Sequence, residues 1–196
     1  MKLNKALNLV IPVETDNGII YVHSTPISRA IFEQYFLVIS KTFSGIFSHG
    51  LGALAGPRIA YLMLKQTAQE LGMWEGQQGV EKGLINEIIR LSNIVITGEN
   101  GWETIPLDTA IKHGKIDSDT LSEVEGELVF FTCISCMNKA NQALMILETV
   151  SGLWGSQTTL LDCTGFRNSL KTLIGEENTG GTVKASSQKS STTHPV

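Results

Sequence analysis

Two features of the chain have spacings that could do chemistry. Cys133 and Cys136 form a Cys-x-x-Cys pair, and Gly50, Gly52 and Gly56 outline a glycine-rich loop. A zinc site takes four ligands, usually with a second pair at similar spacing. Only Cys163 and the scattered His23, His49, His113 and His194 remain to complete one. A redox dithiol should open a helix, where the dipole lowers the thiol pKa. This pair instead falls inside the nearly all-apolar run Leu128 to Met137. Buried free thiols are therefore expected, and no metal. A phosphate-binding loop needs a strand before it and a helix N-terminus after it. Here a helical pattern precedes the glycines and no Gly-Lys-Ser/Thr element exists, so a flexible or closely packed link is expected. Ser24, Ser28, Ser40, Ser44 and Ser48 lie near His23 and His49 in sequence, without the motif of a nucleophile and its base. Glu123, Glu125 and Glu127 alternate along one predicted helix, so they do not form one clustered face and suit a solvated helix start. No catalytic residue and no cofactor is assigned.

The aromatic residues carry more. Tyr35, Phe36, Phe43 and Phe47 fall within thirteen residues, beside glycines. Aromatics anchor interfaces because they remove large area from water at low entropy cost. These four are the candidate partner-binding residues, against the plainer reading that each plugs the core. Trp74, Trp102 and Trp154 each sit at a predicted loop or helix end.

Those residues need elements to position them. Leu7, Leu9, Ile11 and Val13 recur at period two, the mark of a strand. Asn17-Gly18 is a strong hairpin turn signal, and Ile19 to His23 reads as the return strand. Pro12 lacks a backbone N–H and suits an edge or a strand end. An isolated hairpin is marginal in water, so this one must lie against a helical body or pair with another chain. Ser24 or Thr25 can N-cap a helix with Pro26 at its first position, running to about Ser44. Ile27, Ile31, Tyr35 and Val38 form one stripe on it, and Phe32, Phe36, Ile39 and Phe43 a second. That arc is broader than a one-sided surface helix needs.

Further helices are expected from Gly56-Pro57 to about Gly72, over about 80–93, over Leu107 to His113, from Asp117 to about Asn138, over about 138–151, and over Thr164 to Ile174. Ser122 and Glu125 have capping-box spacing in the longest of these. Asn93 to Thr97 is β-branched and fits a short strand, and Trp102 to Pro106 is extended or irregular. From Gly175 on, Thr, Ser, Gly and Lys dominate, too polar to offset their ordering entropy. The expected fold is mainly α: a helical domain with an N-terminal β-hairpin, residues 1–174, then a disordered polar C-terminal tail, 175–196.

Composition bounds the function. A chain of 196 residues with 42% hydrophobic content makes one domain with a sizeable core. Fifteen basic and nineteen acidic residues give a net charge of −4, which argues against nucleic-acid binding. The most apolar region, Ile27 to Leu64, is interrupted by Arg29, Glu33, Lys41, His49 and Arg58, so no membrane span is expected. Three cysteines do not make a disulfide framework and suit a reducing compartment.

The stretch Ile11-Pro12-Val13, Asn17-Gly18, Tyr21 to Arg29, Phe32-Glu33 and Tyr35 to Phe43 resembles proteins encoded by tailed bacteriophages. Gly56-Pro57-Arg58, Asn100 to Pro106 and Gly152 to Thr159 fit the same picture, and the resemblance covers most of residues 7–163. The family is the tail assembly chaperones of long-tailed phages, encoded near the tape measure protein. The resemblance implies a protein of the host cell cytoplasm that coats the long, helical, apolar tape measure protein and leaves as tail tube subunits arrive. It implies the tape measure protein, and in addition the tail tube protein, as partners. A homo-oligomer is left open. The alternative is a structural virion component of the tail or head-to-tail connector. A small enzyme with a site in the 45–56 loop is the third reading.

Overall fold

The computed structural model describes residues 7–15, 18–48, 52, 54–99 and 101–174, without the side chains of 171–174. Asp16 and Asn17 of the hairpin turn, His49 and Gly50 of the glycine loop, Asn100, and the polar tail from Gly175 lie outside the described residues.

The hairpin forms as its alternation predicts. Strand β1 (Asn8–Thr15) runs antiparallel to β2 (Gly18–Ser24), from Leu9 opposite Ser24 to Thr15 opposite Gly18. Gly18 takes φ 107°, a conformation that L side chains rarely adopt. The hairpin is not alone. β2 also pairs with β3 (Ser92–Gly98), β3 pairs with β4 (Gly101–Pro106), and β5 (Gln157–Thr159) pairs with Asn8–Val10 on the far side of β1. The result is a five-stranded antiparallel sheet in the order β4-β3-β2-β1-β5.

This corrects the expected mainly-α class with one hairpin: the fold is mixed α/β. The physical reason is the hairpin's own marginality. Both edges of β2 and one end of β1 are satisfied inside the chain, so the hairpin packs in cis. Pro12 sits just past the point where β5 stops, at the open edge that its missing N–H suits.

Eight α-helices surround the sheet among the described residues: α1 (Arg29–Gln34), α2 (Phe36–Ser48), α3 (Gly56–Glu70), α4 (Asn86–Arg90), α5 (Leu107–Lys112), α6 (Ser118–Met137), α7 (Ala140–Trp154) and α8 (Cys163–Ile174). A π-helical turn, Val80–Ile85, leads into α4. The single helix expected over 26–44 is corrected in two ways. Ser28, not Ser24 or Thr25, is the N-cap, its hydroxyl accepting from the Ile31 amide at 3.3 Å. The helix is also interrupted at Tyr35, where φ −107° and ψ 16° leave the helical region. Likewise α6 is capped by Asp117, whose Oδ1 accepts from the amides of Asp119 and Thr120, rather than by a Ser122–Glu125 box. Gly155, at φ 77°, ends α7.

The inner face of the sheet, with Leu9, Ile11, Val13, Ile20, Val22 and Ile94, joins one core with α2, α3, α6 and α7. Helix α6 is its axis, with every residue from Leu128 to Cys136 buried. Each fully buried large apolar side chain there contributes about 1.5–3 kcal/mol relative to exposure. The outer face has a small second core, Val10 and Val95 against Phe166 and Leu170 of α8. No helix among the described residues is long and apolar enough to cross a membrane.

Candidate partner-binding face

Phe32, Phe36, Phe43 and Phe47 are separated by steps of four and seven residues, which return to nearly the same side of a helix. They form a broken aromatic ladder along α1 and α2. Phe32 and Phe36 meet edge-on with ring centroids 5.7 Å apart. Phe43 and Phe47 lie 4.8 Å apart, and Phe47 ends the ladder 6.4 Å from Phe130 of α6. Val38, Ile39, Thr42 and Ile46 bury the side of α2 that flanks the ladder. The ladder is therefore held by a rigid, core-anchored helix. Its exposed member is Phe36, 50% accessible beside Leu37 at 47%, whereas Phe32, Phe43 and Phe47 are half-buried against the core. From Phe36 to Phe47 it spans about 16 Å, some three helical turns.

Of the four aromatics singled out in sequence, Tyr35 stands apart. It is 1% exposed and belongs to the core. Its hydroxyl donates to the Gln78 carbonyl at 3.0 Å and accepts from Gln34 Nε2 at 3.1 Å. A Cβ on Gly83 would collide with that hydroxyl, so the π-helical turn needs glycine where the tyrosine passes. Tyr35 thus pins the junction of α1 and α2 to the turn before α4. Tyr35→Phe should cost about 1–2 kcal/mol by leaving the Gln78 carbonyl short of a donor, read as a lower urea midpoint with an unchanged slope.

A second concavity, of about 300 Å³, opens beside the free edge of β1. Ile11, Val13, Pro57 and Val124 give it apolar walls, and Glu123, Glu127, Arg58 and Trp154 its polar groups. The acidic residues of α6 therefore do not stay an evenly solvated start. Glu123 and Glu127, one turn apart, face the same space. Burial pushes the Glu127 carboxyl up to about 7; a hydrogen bond with Ser156 opposes this and the charge of Glu123 adds to it.

Between about 4.5 and about 7 the folded chain keeps a proton that the unfolded chain has lost. Stability contributed by this group is therefore present at low pH and falls as pH rises through that window, by at most about 3 kcal/mol. Glu127→Gln should raise Tm at pH 8 and leave it nearly unchanged at pH 4.5. A parallel pH–Tm curve for the two proteins would contradict the assignment.

Cys133 and Cys136 are free and buried, with the Cys136 thiol pushed up to about 12 by burial, which keeps it protonated and unreactive. Gly56, first residue of α3, lies where a Cβ would strike the Phe130 ring, and Gly52 where it would strike Phe47. The described glycines of that loop thus make close packing, and helix α2 rather than a strand precedes them. Among the described residues no group of three or more His, Cys, Asp or Glu is arranged to hold a metal ion. Two functional features lie outside the sequence candidates: Leu37, beside Phe36, and the shared concavity of Trp154 and Glu127. The first was open to inspection as an apolar neighbour on the exposed side. The second joins residues on different helices and has no local signal.

Comparison with protein-family models, with curated proteins and with solved structures finds no match.

Proposed function

We propose that this chain is a non-catalytic tail assembly chaperone that holds an apolar helical segment of the tape measure protein against Phe32, Phe36 and Leu37. The observation that carries the reading is the half-exposed Phe36–Leu37 pair on a helix whose flanking side is locked into the core. A large aromatic left half in water on a rigid support costs little entropy to use as an anchor. Helix-in-groove recognition needs such anchors and no reacting group. The resemblance in sequence supplies the partner: a long apolar helical protein that must stay soluble in the host cell cytoplasm until tail tube subunits replace the chaperone.

The rival reading, a structural virion component, draws on the sheet edges. β4 and the Ile11–Thr15 stretch of β1 each end the sheet on one side, where a neighbouring subunit could add a strand. Two measurements separate the readings. Co-expression should carry the tape measure protein into the soluble fraction, and mass spectrometry of purified virions should lack this chain. Stoichiometric recovery of the chain in mature particles would favour the structural role.

A further inference from the structure

Among the described residues, α8 covers the outer face of the sheet. α8 lays Phe166 and Leu170 over Val10 and Val95, with Tyr21, Trp102 and Cys163 at the margin. Tyr21 meets Phe166 edge-on at 5.5 Å and Trp102 at 5.7 Å. Polar ties hold the two ends of the cover. Trp102 Nε1 donates to the Leu170 carbonyl at 3.2 Å. At the other end the Leu161 carbonyl accepts from Asn8 Nδ2 at 2.9 Å and lies 3.0 Å from His23 Nε2.

A carbonyl only accepts, so the His23 proton sits on Nε2. That leaves Nδ1 as a bare lone pair. It is buried and meets no hydrogen-bond partner beyond the residue's own backbone carbonyl, and His23 as a whole is fully buried. The Phe166 ring lies 6.0 Å away, and Val10 of β1 and Asn93 of β3 are its register neighbours. The charged groups of the covering segment with described side chains are Asp162 and Arg167. Asp162 favours a protonated ring but is itself engaged at the start of α8, accepting from the Gly165 amide at 2.7 Å.

We propose that α8 is an acid-releasable cover, with His23 as its latch: while α8 is seated, a proton on Nδ1 meets no acceptor but the ring's own backbone carbonyl in a site shut off from water, so protonation favours lifting of the Leu161–α8 segment. The lift would bare Val10, Tyr21, Val95 and Trp102. Burial holds the His23 pKa below its ordinary value of 6.5, in the same sense. Once lifted, the ring titrates as an exposed imidazole. The opening constant then grows toward tenfold per pH unit below about 6.5, and up to about thirtyfold from pH 7.5 to 5.0. The inference stands on the α8 interface alone and does not depend on the chaperone reading.

Native-state hydrogen exchange on the full chain, corrected for intrinsic rates, tests it. The α8 amides should exchange through a local opening that increases up to thirtyfold at pH 5.0, while α3 and α6 amides do not follow. His23→Gln keeps an N–H for the Leu161 carbonyl but cannot titrate, and should bring the α8 ratio close to one. The wild-type ring, followed by NMR, supplies a readout that does not depend on the variant folding. Equal α8 protection at both pH values would overturn the latch. So would a pH response surviving in His23→Gln, or a His23 ring that takes up its proton while α8 stays protected.

Discussion

Gly126→Ala should lower the stability of the fold by about 2–4 kcal/mol. Gly126 lies in α6 where that helix crosses α3, and a Cβ there would run into the carbonyl oxygen of Pro57. The obstacle is backbone at the start of a helix, which cannot rotate aside as a side chain can. On the same crossing Gly56 of α3 lies against the Phe130 ring of α6. The two helices therefore approach through glycine from both sides. Separating them would loosen the apolar axis from Leu128 to Cys136. Urea unfolding should show the loss as a lower midpoint at constant slope. Gly152→Ala is the matched control. Gly152 sits in α7 with open space at its Cβ position, so alanine should stabilise by up to about 1 kcal/mol through helix propensity. Equal effects at the two positions would mean that the crossing is not the constraint described.

The double variant Phe36→Asp, Leu37→Asp should reduce recovery of soluble tape measure protein on co-expression at least tenfold. Its own Tm should shift by only a few degrees. Both side chains are about half exposed, so the folded monomer loses little buried area. A bound apolar helix would instead force two carboxylates out of water without partners, at a cost of several kcal/mol. Each 1.4 kcal/mol is a tenfold change in affinity, so the expected effect is large. The contrast with Tyr35 is informative. Removing that ring would empty the core, and a loss of binding there would say nothing about the surface.

The fold was legible wherever one element carried its own pattern. The alternation of Leu9, Ile11 and Val13 announced β1, and the apolar run from Leu128 announced the buried half of α6. What failed was pairing. Asn93 to Thr97 reads as a strand, but nothing local says that it completes a sheet with β2, because Ile94 and Val95 are buried on opposite faces and break the alternation. Gln157–Thr159 carries no apolar signal at all and is a strand only because Asn8–Val10 offers it an edge. The candidate site divides along the same line. The phenylalanine spacing was visible, but whether each ring faces water depended on which side of α2 the body covers. That is a tertiary fact which sent Tyr35 inward and left Phe36 outside. In the sequence His23 is one of several scattered histidines, since its partner Leu161 is 138 residues away along the chain.

Site-specific photo-crosslinking tests the central claim most directly. A benzoylphenylalanine placed at position 36, in cells that also make the tape measure protein, should yield a covalent adduct with that protein. The same probe at Met145, on α7 and more exposed than Phe36, should yield none. No adduct from position 36, or equal adducts from both positions, would contradict the account.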